Sequence, residues 1–319
     1  MSGRTRFVLR RLLLTIPTLL TMSVFVFLII RLVPGDPVRT MLGFRATDAN
    51  VAATRAELGL DRPLLSQYLS FLGGLLHGDL GTDFVSKAPL RELLAQRLPV
   101  TLELTFLAMG LAIVVGVPLG VLAATGARWV RRITDGFVVA GVSVPDFWLG
   151  IMLVLLFSGT LAVLPPSGYV PFTDDPVGNL KYLALPVLTL AVAETAYILR
   201  TTRGAMEATM GQPFVTFLRA KGLSHRRIVY RHALKNAAIP VVTVIGIQFG
   251  LLLGGAIVIE TLFALPGIGR LLVTAINQRN YPVVQAGVLV VAALFILVSL
   301  VTDLIVGLID SRVADGSGS

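Results

Sequence analysis

The chain has 319 residues, of which 55% are hydrophobic and 14% are charged, and it contains no cysteine. An average soluble domain has about 25% charged residues, so this composition excludes an ordinary soluble protein and indicates the membrane class. Without cysteine the chain has no disulfide and no thiolate chemistry. The net charge of +9 could suggest a nucleic-acid partner, but a bias of basic residues towards loops on one side of a membrane explains it without one.

Six apolar segments approach or exceed the ~20 residues that a helix needs to cross the hydrocarbon core. In chain order they are Leu12–Ile30, Val100–Ala124, Gly136–Val163, Tyr182–Leu199, Ala237–Ile259 and Gln285–Ile309. The first follows the basic sequence RTRFVLRR, but it is too long for the apolar region of a signal peptide and no cleavage site follows it. The sequence therefore predicts an all-α integral membrane protein with six transmembrane helices, the first of them uncleaved.

The distribution of Lys and Arg predicts the orientation. An even number of spans places both termini on one side, and the side richer in short-loop Lys and Arg is the cytoplasm. With the termini inside, the inner segments hold sixteen such residues, whereas the short outer segments hold only three, Lys181, Arg270 and Arg279. The prediction is an N-in, C-in topology.

The chain divides into four parts on this topology. They are a cytoplasmic N-terminus with the first helix (1–30), a sizeable extracytoplasmic helical segment (31–99), a five-helix core with a cytoplasmic loop at 200–237 (100–310), and a flexible tail (311–319). Within the outer segment, Thr47 or Asp48 can cap one short helix that ends before Gly59. A second helix is predicted between Pro63 and Gly78, and both are expected to lie over the outer mouth or along the bilayer surface.

The residues needed for catalysis do not occur in the required patterns. No G-x-x-x-x-G-K-[ST] sequence is present, so the chain lacks a P-loop for a nucleotide. The three histidines, His77, His225 and His232, lie outside the apolar segments and form no H-E-x-x-H pair. We therefore expect no catalytic residue, no metal site and no enzyme activity in this chain.

A basic stretch, FVTFLRAKGLSHRRIVYRHALKN, runs from Phe214 to Asn236 and carries six Lys or Arg residues and no acid. Gly222 can adopt the dihedral angles of a sharp turn, and Ser224 can cap the helix that follows. Apolar residues alternate with the bases after this turn, which indicates a helix with one docking side. Physical reasoning leaves two interpretations open: an anchor for anionic lipid, or a docking element that transmits force from a cytoplasmic partner.

Four stretches of the sequence carry a resemblance to a known family. RAKGLSHRRIVYRHALKNAAIP, with its glycine before the penultimate span, resembles the EAA loop of ATP-binding-cassette (ABC) importer permeases. Three further stretches are similar to the B-type subunit of the dipeptide, oligopeptide and nickel subfamily. They are RLVPGDPV, then GLDRPLLSQYLSFLGGLLHGDLG with RLPVTLELT, and LFALPGIGRLLVTAINQRNYPVVQAGVLV. The matches occur in the expected order between about residue 9 and residue 310.

The resemblance implies a type I ABC importer permease in a bacterial inner membrane. The implied partners are a second homologous permease subunit, two ATPase subunits or domains that carry ATP and Mg²⁺, an extracytoplasmic substrate-binding protein and membrane lipid, with no nucleic acid. The cargo implied is most simply a dipeptide or oligopeptide, although nickel chelates share this architecture. The ATPase-coupling loop would consist of Arg219, Ala220, Lys221, Gly222, Leu223, Ser224, Arg226, Arg227, Arg231 and His232.

The chain departs from the family pattern at several positions. Thr216, Phe217 and Leu218 stand where the general motif has glutamate, alanine and alanine, and the subfamily usually keeps a small residue at the place of Leu218. Asn280 stands where an aspartate is common, and Lys235 replaces the proline of the general motif, as is usual in this subfamily.

Acidic residues inside apolar segments are candidates for the translocation pathway, because burying a charge in the bilayer costs roughly 2.5–3.5 kcal/mol. Asp146, Glu194 and Asp303 meet this criterion, and Asp146 follows Pro145 at an expected kink. The alternative is an ion pair inside the bundle, for example between Glu194 and Arg200. Glu103 and Glu260 lie near the outer interface and are expected to be solvated.

An outer turn is predicted at Pro266, Gly267 and Gly269, followed by a short helix that either re-enters the membrane or closes the bundle at its surface. Two alternative functions remain open at this point. A stand-alone secondary transporter would use Glu194 or Asp303 as a proton or sodium site, but it would usually show an internal repeat, and none is apparent. A structural or sensory membrane subunit would not need so long a loop.

Overall fold

The computed structural model describes residues 3–32, 37–57 and 59–309. Within these ranges the chain is helical apart from turns, irregular segments and an isolated β-bridge between Thr82 and Pro89. The predicted flexible tail at 311–319, and the 33–36 part of the RLVPGDPV stretch, lie outside the described residues.

The first four helices are α1 (Gly3–Leu32), α2 (Pro37–Leu42), α3 (Asp48–Glu57) and α4 (Leu64–Leu76). Two short helices were predicted between residues 47 and 78, and α3 and α4 confirm them. The hydroxyl of Thr47 accepts a hydrogen bond of 3.3 Å from the amide of Asn50, as a helix cap does.

Four helices follow: α5 (Leu90–Thr125), α6 (Arg128–Ser143), α7 (Asp146–Val154), which continues as a π-helical segment to Thr160, and α8 (Pro176–Met210). The predicted third span, Gly136–Val163, is not a straight helix. The chain bends by 101° between α6 and the helix that begins at Asp146. The cause is Pro145, which disfavours helical geometry in the residue before it and cannot donate a backbone hydrogen bond.

The remaining helices are α9 (Pro213–Ala220), α10 (His225–Arg227), α11 (Leu234–Leu262), α12 (Ile268–Asn277) and α13 (Tyr281–Ile309). A π-helical segment, Ile228–Ala233, joins α10 to α11, so that one helix runs from His225 to Leu262. The helix α8 ends eleven residues beyond the predicted limit at Leu199. Polar pairs such as Arg203 with Glu207, one turn apart at 3.0 Å, stabilise this extension.

Four helices of the described residues are long and apolar enough to cross a membrane, namely α5, α8, α10–α11 and α13. The bent pair α6–α7 makes a fifth if it is counted as one span. The first predicted span coincides with α1, which contributes the shorter apolar stretch Leu13–Leu28. The all-helical membrane fold is therefore confirmed.

Glycine allows α5 and α8 to pack closely in the centre of the molecule. A Cβ atom added at Gly120 would lie 2.6 Å from the Cβ of Thr202 and 2.8 Å from the carbonyl oxygen of Leu199. Small residues at such contacts let helix backbones approach each other, which compensates for the weak hydrophobic driving force inside a bilayer. The core built on α5, α8 and α11 includes Leu104, Ile198 and other residues that are almost fully buried.

Candidate functional site

The loop between α8 and α11 turns sharply at Gly222, as predicted. Gly222 has a φ of +79°, in the left-handed region that favours glycine. Its amide donates to the carbonyl of Arg219 at 2.9 Å, and the amide of Leu223 donates to the carbonyl of Leu218 at 3.2 Å. These bonds close the turn between α9 and α10. Ser224 occupies the N-cap position of α10 but its side chain makes no capping hydrogen bond, so the predicted cap is wrong.

The apolar side of the second half of the loop faces this chain's own helices. Ile228, Val229 and Ala233 are exposed by 0%, 2% and 0%, respectively. Val229 and Ala233 share a buried cluster with Val121 of α5 and Met206 of α8. A displacement of the loop would therefore be transmitted directly to α5, α8 and α11.

The opposite side of the loop is basic and exposed. The exposed members of the predicted coupling set are Arg219, Ala220, Lys221, Gly222, Ser224, Arg226, Arg227 and Arg231, whereas Leu223 and His232 are partly buried. Phe217 is 58% exposed, Tyr230 is 55% exposed, and the ammonium of Lys221 lies 4.5 Å from the ring centre of Phe217. This surface therefore combines positive charge with two exposed aromatic rings.

An ion-pair network joins α6 to α8 near this loop. Arg203 pairs with Asp135 and with Glu207, and Arg131 lies 3.6 Å from the carboxylate of Glu207. Sequence reasoning missed the network. The i, i+4 spacing of Arg203 and Glu207 could have indicated half of it, but the position of Asp135 depends on how α6 packs against α8.

Two of the three predicted pathway acids, Asp146 and Glu194, lie on helices that pack against each other. Glu194 on α8 is 7% exposed and accepts a hydrogen bond of 3.1 Å from the amide nitrogen of Gln248 on α11. Asp146 is the first residue of α7, which packs against both α8 and α11. None of the ion pairs among the described residues joins Glu194 to Arg200. The structure thus forms a polar cluster at the junction of α7, α8 and α11.

Asp303 lies elsewhere. It lines a cavity of about 150 Å³ between α1 and α13, together with Thr15, Thr18 and Ser299. The structure therefore separates Asp303 from the cluster of Asp146 and Glu194.

The outer turn is organised by Glu260, which was expected to be solvated but is completely buried. Its carboxyl oxygens accept a hydrogen bond of 2.6 Å from the hydroxyl of Thr101 and one of 3.0 Å from the amide of Arg270. The amide of Gly269 donates to it as well, and the hydroxyl of Thr101 accepts from the amide of Ile268 at 2.9 Å. The carboxyl group therefore caps α12 from another helix.

This arrangement explains the glycines of the predicted outer turn. A Cβ atom at Gly269 would lie 2.5 Å from the Cα of Ile257, and one at Gly267 would overlap the carboxyl group of Glu260. Pro266 precedes the two glycines and is partly buried. The predicted short helix after the turn is present as α12, which buries Leu272 and Ala275 against its neighbours.

Two further contacts tie segments between the long helices to the core. The hydroxyl of Tyr169 donates to Glu103 at 2.8 Å, and burial together with this carboxylate raises the pKa of Tyr169. The side-chain amide of Asn280 donates to the carboxylate of Asp83. Burial alone would raise the pKa of Asp83, but hydrogen bonds from Ser86, Val85 and Asn280 outweigh it and lower the pKa below its usual value.

The fold and these sites define a multi-helix membrane protein with an exposed basic loop fixed to its core. Two family models match the chain. The model of the binding-protein-dependent transport system inner membrane component covers residues 116–315, and that of the N-terminal part of such membrane components covers residues 4–105. The chain belongs to this family, and it is a multi-pass protein of a bacterial inner membrane.

Relatives match the chain over nearly its whole length. It is 42% identical over 310 residues to a putative peptide transport system permease protein of Brucella abortus strain 2308, covering 97% of this chain and 99% of the relative. It is 41% identical to the dipeptide transport system permease protein DppB of Escherichia coli K12, covering 97% and 98%. An inward-facing structure of the MetNI methionine ABC transporter shares the fold, with a TM-score of 0.56 at 22% identity, over 68% of this chain and 96% of that chain.

Proposed function

We propose that this chain is the permease subunit of an ATP-driven importer of dipeptides or oligopeptides. The chain supplies one half of the translocation pathway, and a second, homologous permease subunit supplies the other. Two ATPase subunits or domains bind ATP and Mg²⁺, and an extracytoplasmic binding protein delivers the cargo. The peptide cargo is supported by relatives that are more than 40% identical and are named for peptide or dipeptide transport.

The topology that fits this function has six crossings with both termini in the cytoplasm. The helix α1 makes the first crossing and the bent pair α6–α7 makes the third. Support comes from the position of the charges: the basic loop around Gly222 and the Arg131, Asp135, Arg203 and Glu207 network then lie on the cytoplasmic side. The segment 31–99 then lies outside.

The coupling role is supported by one observation: the loop around Gly222 has one buried side and one exposed side. Its buried side packs into α5 and α8, whereas its exposed side presents Arg226, Arg227 and Arg231. Closure of the two ATPases would move this loop, and the loop would move the helices that line the pathway. Asp146 and Glu194 would favour the ammonium group of a peptide on that pathway, whereas the position of Asp303 beside α1 supports a role outside it.

The proposal is tested by affinity purification of the tagged chain from its own membranes in mild detergent. A P-loop ATPase and a second six-span permease should copurify, and the ATPase should be lost on Gly222→Asp and on the double substitution Arg226→Glu with Arg227→Glu. Arg132→Glu, at an exposed base of α6, is the matched control and should retain the ATPase. The purified complex in liposomes should take up labelled dialanine only with ATP and the binding protein.

Two results would contradict the proposal. If the chain purifies alone, with or without Gly222→Asp, it has no separate ATPase subunit as a partner. Uptake that does not need ATP but collapses with the proton or sodium gradient would instead support a secondary transporter that uses Glu194.

A further inference from the structure

The helix α4 exposes a continuous row of leucines. Leu65, Leu69, Leu72 and Leu76 recur at intervals of three or four residues, so this leucine row lies on one side of the helix. The exposed fractions of Leu65, Leu69 and Leu76 are 69%, 58% and 86%, and Leu72 is partly buried. Each of the thirteen residues of α4 is uncharged. A contiguous exposed apolar surface marks a contact with a partner or with a membrane.

The contacts between α4 and α1 fix the depth at which α4 lies. The hydroxyl groups of Ser23 and Tyr68 share a hydrogen bond of 2.8 Å. The ring centre of Phe27 lies 5.2 Å from that of Tyr68 and 6.1 Å from that of Phe71. Ser23 and Phe27 both belong to the apolar stretch Leu13–Leu28, which makes the first crossing in the proposed topology. The helix α4 therefore lies beside the end of this crossing rather than above the membrane.

The length of α4 excludes a crossing of its own, and its exposure excludes a place in the protein core. Thirteen residues span about 20 Å, against roughly 30 Å for the hydrocarbon core of a bilayer. An apolar helix of this length is either a core helix or a segment that lies in the membrane interface. None of the residues of α4 is buried, so the interface is the place that remains.

Another side of α4 is polar and faces water. Gln67 and Ser70 line a cavity of about 290 Å³. Arg62 and Asp79 line it too, and both are exposed, so the cavity is open to solvent. Ser70 follows Leu69 directly, which places it about 100° further around the helix. A helix with one apolar and one polar side lies in the plane of a membrane surface, with its apolar side about 5–10 Å deep in the boundary between headgroups and acyl chains.

The composition of the leucine row favours acyl chains over a second protein helix. Interfaces between helices in a bilayer are enriched in small residues, which let the two backbones approach each other. The row consists of leucine alone, and the serines and glycines of α4 lie off it. The adjoining helix α1 also exposes apolar side chains at this level, since Met22 and Phe25 are exposed by 41% and 61%.

We propose that the leucine row of α4 inserts among the lipid acyl chains of the leaflet at the C-terminal end of the first crossing. Insertion removes the leucine side chains from water, and no charged group has to be desolvated with them. In the proposed topology this is the outer leaflet, so α4 anchors the segment 31–99 to the membrane beside α1. The inference rests on the proposed crossing by α1 and is independent of the cargo.

The test places a nitroxide label on α4 in the complete transport complex, reconstituted in lipid nanodiscs. The chain has no cysteine, so Leu69→Cys and Leu76→Cys each introduce one labelling site, and the unsubstituted complex gives the background. Collisions of the label with oxygen, which concentrates in hydrocarbon, are compared with collisions with a water-soluble nickel chelate. The ratio of oxygen to nickel collisions should be several-fold higher at both sites than at Ser70→Cys, the matched control on the polar side. Leu20→Cys, within the apolar stretch of α1, reports the proposed crossing itself and should give a ratio as high as the two leucine sites.

Three results would overturn the proposal, and they are distinguishable. A ratio at Leu69→Cys and Leu76→Cys no higher than at Ser70→Cys, with Leu20→Cys protected from nickel, would place the leucine row in water and leave the crossing by α1 standing. Few collisions with either reagent at the two leucine sites would show that a protein surface covers the row, and would assign it to the second permease subunit. Frequent nickel collisions at Leu20→Cys would contradict the crossing by α1 and the inference with it. A failure of ATP-driven dialanine uptake with the expected ratios intact would contradict the proposed function and support the lipid contact.

Discussion

Replacing Glu260 by alanine should strongly destabilise the part of the permease where α5, α11 and α12 meet. The substitution removes the carboxyl group that accepts from the hydroxyl of Thr101 and from the amides of Gly269 and Arg270, and the Glu260 side chain itself is completely buried. Each orphaned buried donor costs about 1–3 kcal/mol. Three of them, with partial relaxation, imply a loss of about 4 kcal/mol in the free energy of unfolding.

Two further variants separate the hydrogen bonds from the loss of side-chain volume. Glu260→Gln keeps the shape and one acceptor oxygen but turns an NH₂ group towards a donor, so the expected loss is about 2 kcal/mol. Thr101→Ser keeps the hydroxyl that links Glu260 to the amide of Ile268, and it should cost about 1 kcal/mol or less.

The assay is equilibrium unfolding of the purified protein in mixed micelles titrated with sodium dodecyl sulfate, followed by circular dichroism. The reasoning predicts the order Glu260→Ala, Glu260→Gln, Thr101→Ser from the largest to the smallest loss. If Glu260→Ala fell within about 0.5 kcal/mol of the parent protein, as exposed substitutions do, the carboxyl group would not be the cap of α12 and the reasoning would be refuted.

Three more predictions use the same assay. Gly120→Ala places a methyl group 2.6 Å from Thr202 and should lower the free energy of unfolding by about 1–3 kcal/mol. Gly110→Ala on the same helix meets no atom within 4 Å and should leave that free energy unchanged. Equal effects of the two substitutions would contradict the close packing of α5 on α8. Gly222→Ala should cost about 1 kcal/mol because of its positive φ, and Gly222→Asn should cost less; the reverse order would contradict the turn. Asn280→Asp should destabilise the protein at neutral pH because it places a second carboxylate beside Asp83, and lowering the pH to about 5 should restore part of the lost stability by protonating the pair. In the parent protein the pKa of Asp83 is lowered, so the contact should be lost only below about pH 4. A variant whose stability lacks this pH dependence would contradict the contact.

Local features of the sequence predicted much of the fold. Long apolar segments predicted α5, α8, α11 and α13, because length and hydropathy are enough to identify a spanning helix. The positive φ of Gly222 and the cap at Thr47 also follow from short-range rules that depend on one or two residues.

The contacts of the polar residues were not predictable in this way. Sequence reasoning placed Glu260 at the membrane interface as a solvated acid, and only the approach of α5 and α12 gives it three donors. Gln248 carried no signal, since its role depends on the rotation of α11 that turns it towards Glu194. The 101° bend before Asp146 was predicted only as a kink, because the rules for proline locate a break in a helix but do not give its angle.

Site-specific cross-linking at Ser224 tests the central claim most directly, namely that the exposed side of the loop around Gly222 contacts an ATPase on another chain. Because the chain has no cysteine, Ser224→Cys introduces a single exposed thiol that can carry a photoactivatable cross-linker in native membranes. Gln278→Cys, exposed on the far side of the proposed topology, is the control. The account predicts that Ser224→Cys captures a P-loop ATPase, identified by mass spectrometry, and that Gln278→Cys does not. Cross-linking of Ser224→Cys to lipid alone, with the transport complex intact, would contradict the claim and support an anchoring role for the loop.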